Sequence, residues 1–263
     1  MNNNDDQQIG RILSRREALI LLGATGIYGL TRGPAGTVIA DEVKAPSCIV
    51  VPESTEGPYF VDEQLNRSDV RAEPSSGSIS EGIPFVLTFN VSQIANQKCA
   101  PLAGAKVDIW QCDAQGVYSG VSDRTLGIDT VGKKFLRGYQ TTDASGVSKF
   151  LTIFPGWYRG RTIHIHFKIR AQVSPNQAYE FTSQVYFDDR VSDRIVSQAP
   201  YTKGKRDTNN AADRVYKNGG EQTLVALTET DRGYAATFPI GLDLSDAKAG
   251  RPDKFSPPPG RPQ

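Results

Sequence analysis

The sequence predicts an all-β fold: an antiparallel β-sandwich with an irregular N-terminal segment and long loops. Short runs rich in Val, Ile, Phe, Tyr and Thr recur along the chain, with apolar residues at a rough spacing of two. Turn chemistry punctuates them, since the 263 residues include 25 glycines and 16 prolines. No stretch sustains an apolar period of 3.6 residues long enough to predict a major helix.

The elements follow in order. Residues 41–80 read as mostly irregular, and PESTEGPYF (52–60) mixes Pro, Gly and small polar residues. PFVLTFNVS (84–92) and AKVDIWQC (105–112) are the first two strand candidates. FLRGYQTT (135–142), DASG (143–146) and VSKFLTIF (147–154) read as strand, turn, strand, with Asp143 and Gly146 supplying the turn. RTIHIHFKIRAQV (161–173) and YEFTSQVYF (179–187) continue the sheet, and QTLVALTE and YAATFPIGL close it. Between these, residues 192–220 are polar and charged, with room for short helical turns. No internal repeat and no linker divides residues 41–263, which are expected to form one domain. SPPPGRPQ at the end reads as a tail.

The N-terminus reads separately. Residues 1–16 are polar and run into SRRE (14–17), and ALILLGATGIYGL (18–30) is apolar but short and glycine-rich for a membrane span. A basic front with an apolar middle is the pattern of an export signal, and SRR ahead of it resembles the twin-arginine type. Residues 1–40 are therefore expected to be a signal peptide, with VIA (38–40) as the cleavage site. The expected localisation is periplasmic or extracellular, with no stable membrane insertion after cleavage. A retained anchor is the competing reading. The three cysteines suit an exported protein with one bridge, for which Cys48 and Cys99 are the favoured pair and Cys112 sits in an apparent strand. There is no CxxC motif to suggest a zinc ribbon or redox pair.

Lys+Arg total 30 and Asp+Glu 29, a net charge of +1, which gives no electrostatic reason to expect nucleic acid as a partner. Oligomeric state is left open by the sequence.

The chain holds only two histidines, and both lie in one strand candidate, as His164 and His166. Strand alternation puts Ile163, Ile165, Phe167 and Ile169 on one face and His164, His166 and Lys168 on the other. The apolar set is expected to face the core. Two imidazoles at that spacing can converge on one metal ion; the plainer reading is two histidines on a solvated face. No third histidine exists, so a three-histidine centre is excluded. Two histidines with a carboxylate remain open, with Asp188 and Asp189 as the nearest downstream candidates. Two tyrosinates, which suit Fe(III), are also open: Tyr118 in DAQGVYSG and Tyr158 in PGWYRGR stand near turns, where a tyrosine ordinarily packs or hydrogen-bonds. In PGWYRGR, Gly156 and Gly160 read as turn residues, and Trp157 as a pocket wall or simple packing.

Five segments in order carry a resemblance: TEGPYF (55–60), PLAGAKVDIWQCDAQGVYSG (101–120), FLRGYQTTDASG (135–146), FPGWYRGRTIHIHFKI (154–169) and TSQVYF (182–187). Together the chain resembles the intradiol ring-cleavage dioxygenases, the group of protocatechuate 3,4-dioxygenase and catechol 1,2-dioxygenase. The resemblance implies a β-sandwich, a non-haem Fe(III) cofactor, and a small catecholic substrate with O2. It implies four metal ligands: Tyr118, which stays bound; Tyr158, the axial ligand that leaves when substrate arrives; and His164 and His166. It implies Arg161 beside the substrate ring and Gln184 helping to hold the pocket, with Tyr158, Arg161 and Gln184 as the catalytic set. The departures are a short spacing between Tyr158 and His164, which implies a more open pocket, Gln111 where relatives often carry histidine, and no helical dimerisation region ahead of the sandwich. An exported β-sandwich binding module and a zinc-dependent hydrolase are the rival readings.

Overall fold

The computed structural model describes residues 49–96, 98–123, 127–201 and 203–245. Two five-stranded sheets face each other across an apolar core. One contains β1 (Pro84–Ala95), β2 (Lys98–Pro101), β7 (Val147–Ile153), β11 (Thr228–Thr230) and β12 (Gly233–Leu242). The other runs in the order β10 (Leu224–Val225), β9 (Gln177–Phe187), β8 (His164–Ser174), β3 (Lys106–Trp110), β6 (Arg137–Thr141). A separate two-stranded ribbon joins β4 (Ser122–Asp123) to β5 (Ile128–Asp129).

Strand β1 shows why the sequence folds this way. Its residues Phe85, Leu87, Phe89 and Val91 alternate into the core, all at 1 % exposure or less. Its outer partners change along its length: β7 pairs with residues 84–90 and β2 with 92–95. Along the other edge lies β12, parallel, from Phe85↔Tyr234 to Gln93↔Leu242. Phe89 packs on Phe150 and Phe238 of its own sheet and on Phe167 of the facing one. Burying such a ring contributes about 1.5–3 kcal/mol.

The sandwich is thus as expected, but its pairing is mixed. The β1–β12 and β9–β10 pairs are parallel and the other strand pairs antiparallel. A parallel partner needs a long return path, and the other ten strands lie between β1 and β12 in sequence. The DASG turn also does more than join neighbours, because β6 and β7 lie in different sheets. Asp143 Oδ1 accepts the N–H of Ser145 and Val147 at 2.8 and 3.0 Å, and Gly146 takes a φ of +76° that its lack of Cβ permits.

The polar region after β9 forms two short helices, α1 (Asp189–Val196) and α2 (Arg214–Lys217), then a 3-10 turn (Gly220–Thr223). Cys99 is disulfide-bonded and Cys112 is free and buried, two residues beyond β3 rather than in a strand. Cys48, the expected partner of Cys99, lies outside the described residues, as do the expected signal peptide at 1–40 and the C-terminal tail. Among the described residues no helix is long and apolar enough to cross a membrane.

Candidate metal centre

Strand β8 divides its side chains as alternation requires. Ile163, just ahead of it, and Ile165, Phe167 and Ile169 enter the core, and His164, His166 and Lys168 take the other face. That second face is not solvated: both histidines are 2 % exposed. Residues 51–60 lie across it. Ser54 N–H bonds Thr182 O at 2.9 Å, Gln184 Nε2 bonds Thr55 O at 3.0 Å, and Ser183 Oγ bonds Pro52 O at 3.0 Å. Gly57 adopts φ +71° so close to His166 that a Cβ there would lie 3.3 Å from Cε1. Trp110, opposite His166 on β3, stacks on its ring at 4.9 Å and 9°.

The tyrosines arrive on two turns. In DAQG, Asp113 Oδ1 accepts the N–H of Gln115 and Val117 at 2.8 and 2.9 Å, the same chemistry as DASG, and delivers Tyr118. The connection from β7 to β8 delivers Tyr158. The turns touch: a Cβ on Gly116, whose φ is +79°, would lie 2.1 Å from Trp157 O. Trp157 is fixed by its Nε1, which donates to Gly204 O at 3.1 Å.

Four donor atoms consequently meet. His164 Nε2 lies 3.0 Å from His166 Nε2, 3.1 Å from Tyr158 Oη and 3.4 Å from Tyr118 Oη. Donors each about 2 Å from a shared ion are separated by such distances. Nδ1 of His164 lies 2.6 Å from Thr162 O, so it carries the proton and leaves the Nε2 lone pair facing the cluster. Burial lowers the pKa of both imidazoles, with Arg161 adding to it, so both are neutral. Burial also pushes both phenols above their ordinary value, with the neighbouring phenol adding to the effect on Tyr118 and Arg161 opposing it on Tyr158. Two anionic oxygens with two neutral nitrogens form a donor set for a hard, highly charged cation, and such a cation offsets the cost of ionising buried phenols. The residues present therefore fit a ferric ion.

The carboxylate alternative is not assembled. Among the described residues no three His, Cys, Asp or Glu side chains gather at a metal-binding spacing. Asp188 caps α1, and Asp189 binds Arg206 at 2.7 Å and the Asn210 N–H at 3.1 Å. Gln111 is likewise structural: it donates to Ile153 O at 2.9 Å and accepts from Thr152 Oγ1 at 3.0 Å, tying one sheet to the other.

Arg161 and Gln184 meet beside the cluster, with Arg161 Nη2 donating to Gln184 Oε1 at 2.5 Å. Tyr186 Oη donates to the same oxygen at 2.8 Å. Asp213 accepts Arg161 Nε at 2.9 Å and the Thr162 N–H at 2.7 Å. Burial would raise the Asp213 carboxyl, but Arg161 and the N–H groups of Tyr216 and Thr162 outweigh it and hold it below its ordinary value. Tyr59 stacks on Tyr118 at 4.7 Å and meets Tyr158 edge-on at 6.1 Å. Sequence reasoning missed Tyr59, Trp110, Tyr186 and Asp213. Alternation carried a signal for Trp110 and Tyr186, which share the histidine face; nothing local marked Asp213.

The Dioxygenase family pattern matches residues 55–228. An intradiol ring-cleavage dioxygenase from Tetranychus urticae is 31 % identical, superposes with a TM-score of 0.64, and is covered over 95 % of its length by 74 % of this chain. The dioxygenase domain of a dioxygenase–carbohydrate-binding fusion from Streptomyces sp. SirexAA-E is 28 % identical with a TM-score of 0.51, over 74 % of this chain and 98 % of that one. Chlorocatechol 1,2-dioxygenase from Pseudomonas putida is 29 % identical over 152 residues, 51 % of this chain and 52 % of its own. The chain thus spans about half the length of that curated relative. A family match over most of the described sandwich, a fold shared with a ring-cleavage dioxygenase over 74 % of this chain, and a convergent Tyr–Tyr–His–His cluster place this chain in the intradiol ring-cleavage dioxygenase family.

Proposed function

We propose that this protein is a non-haem Fe(III) dioxygenase. It opens a catechol-type ring between the two hydroxyl-bearing carbons, adds both atoms of O2, and yields a cis,cis-muconate-type dicarboxylate. The observation that carries this reading is the meeting of Tyr118, Tyr158, His164 and His166 around one point, with Arg161 beside it. These four residues would hold the metal. When bound, a ferric ion supplies the Lewis acidity that binds a catechol as its dianion and the redox coupling that lets the ring react with O2.

The rest is done by the chain. Tyr158 is less buried than Tyr118, so its phenol oxygen is the one placed to take a proton from an incoming substrate hydroxyl. Arg161 cannot readily lose its proton, and its guanidinium is held by Asp213 and Gln184. A fixed cation there stabilises negative charge developing on the ring. Gln184 is held in turn by Tyr186 and Thr55, and so aims Arg161. Residues 51–60 and Trp110 keep water from the inner side of His166.

The printed name of the Pseudomonas relative supports a catechol as substrate class. The test is aerobic mixing of iron-loaded protein with catechol, hydroxyquinol and protocatechuate, following O2 uptake and muconate absorbance. A visible tyrosinate colour with uptake on at least one diol is expected. A well-folded, iron-loaded protein that consumes O2 with none of them overturns the reading.

The same proposal puts residues 41–263 outside the cytoplasm as one domain, released from a signal at 1–40. The basic and apolar segments at 14–30 support it, as does the disulfide at Cys99. Cell fractionation with N-terminal sequencing of the mature protein tests it; full-length cytoplasmic protein would refute it.

A further inference from the structure

The stretch between α1 and α2 closes on Arg161 and Thr162, shortly ahead of the histidine strand. Thr162 Oγ1 donates to Asn210 Oδ1 at 2.6 Å, and Asn210 Nδ2 donates to Phe187 O at 2.9 Å. Arg206 ties the stretch to α1 through Asp189 and Asp193 at 2.7 and 2.6 Å. At its end stands Asp213, fully buried at 0 % exposure.

The two oxygens of Asp213 have separate duties. Oδ1 faces α2 and accepts the N–H of Val215 at 2.7 Å and of Tyr216 at 3.0 Å. Oδ2 faces the cluster and accepts Arg161 Nε at 2.9 Å and the Thr162 N–H at 2.7 Å. Thr162 O is the acceptor that fixes the tautomer of His164. The guanidinium is held from two sides, by Asp213 at Nε and by Gln184 Oε1 and the Tyr186 hydroxyl at Nη2, while Nη1 has no hydrogen-bond partner among the described residues.

We propose that Asp213 is a positioning residue of the reaction: its inward oxygen fixes the Arg161 guanidinium beside the donor cluster so that Nη1 is presented to substrate, and steadies Thr162 behind His164. This deepens the function proposed above and rests on it for the role of Arg161. A charge-assisted bond to a carboxylate at Nε fixes the direction of the guanidinium more firmly than the neutral acceptors Gln184 and Tyr186 at Nη2 do alone. The competing explanation is that Asp213 only caps α2.

Asp213→Ser separates the two. Serine is a good N-cap but is too short to reach Arg161. Asp213→Asn keeps an acceptor without the charge and carries the same expectation, so one variant suffices if the other does not fold. Both should retain bound iron and the visible band of the wild type, while kcat and kcat/KM per bound iron fall together by about tenfold or more. In an Arg161→Met background the same substitutions should cause no further loss. Metal-free protein provides a readout independent of activity: exchange of the Arg161 Nε–H with solvent, followed by NMR, should be slow in the wild type and fast in the variants. Unchanged turnover per iron, an equal loss in the Arg161→Met background, or unchanged Nε–H exchange overturns the inference. Wild-type protein with no oxygenase activity but protected Nε–H would sink the proposed function and leave the Asp213–Arg161 link standing.

Discussion

His164 and His166 bring their Nε2 atoms to 3.0 Å from each other. His164 has committed its proton to Thr162 O, so at most one proton can lie between the two nitrogens. Nδ1 of His166 is buried without a hydrogen-bond partner among the described residues. Two neutral imidazoles gain little from such an approach unless a cation sits between them.

The first expectation concerns the ligands. Tyr118→Phe should alter the visible band of iron-loaded protein, and an unchanged absorption spectrum would remove Tyr118 from the ligand set. His166→Ala should weaken iron binding by more than about a hundredfold, beyond the loss typical of outer-shell substitutions. Competition with a chelator measures it.

Gly116 reports on the contact between the tyrosine turns. Gly116→Ala puts a Cβ against Trp157 O at φ +79°, and should cost about 2–4 kcal/mol and loosen iron. Gly77→Ala, at φ +72° with nothing within 4 Å, should cost only about 1–2 kcal/mol and leave iron retention alone. Urea unfolding and metal analysis of the two variants test the difference.

Lys168 continues the histidine face and is 1 % exposed. It pairs with Glu56 at 2.5 Å and with Glu180, and lies 4.9 Å over the Phe60 ring. Lys168→Met removes a buried cation from between two partly buried carboxylates, of which Glu180 keeps its pair with Arg170, and should cost about 1.5–3 kcal/mol. Adding Glu56→Gln should recover part of that loss. Because Glu56 belongs to the covering segment, limited proteolysis should cut residues 51–60 faster in the single variant.

Glu73 provides a pH test away from the metal. Burial would raise its carboxyl, but the N–H of Lys134 and the hydroxyl and N–H of Ser75 bind it and hold it below the ordinary glutamate range. A folded-state pKa below the unfolded one adds stability above the unfolded pKa, which is lost as pH falls through the folded value. Glu73→Gln should therefore cost about 1–2 kcal/mol at pH 7 and almost nothing near pH 3. Chemical unfolding at both pH values checks the sign.

Much of this was legible in the residues. Alternation in RTIHIHFKI separated the core-facing isoleucines from the histidines, because a period of two is a local property. The burial of that histidine face was not legible. It depends on residues 51–60, which have no periodic pattern and are held by backbone bonds and by Lys168. Asp213 was equally silent, since its role comes from a loop 52 residues beyond Arg161 in sequence. The parallel seating of β12 beside β1 is a long-range choice that a strand pattern does not encode.

That seating has a consequence for biosynthesis. The first long strand of the sandwich waits for the last one, so a nascent chain emerging from the ribosome carries β1 with one flank open until Gly233–Leu242 has been made. Truncation ahead of Gly233 would leave that flank as a template for intermolecular pairing, and such fragments should aggregate rather than accumulate as smaller folded enzymes.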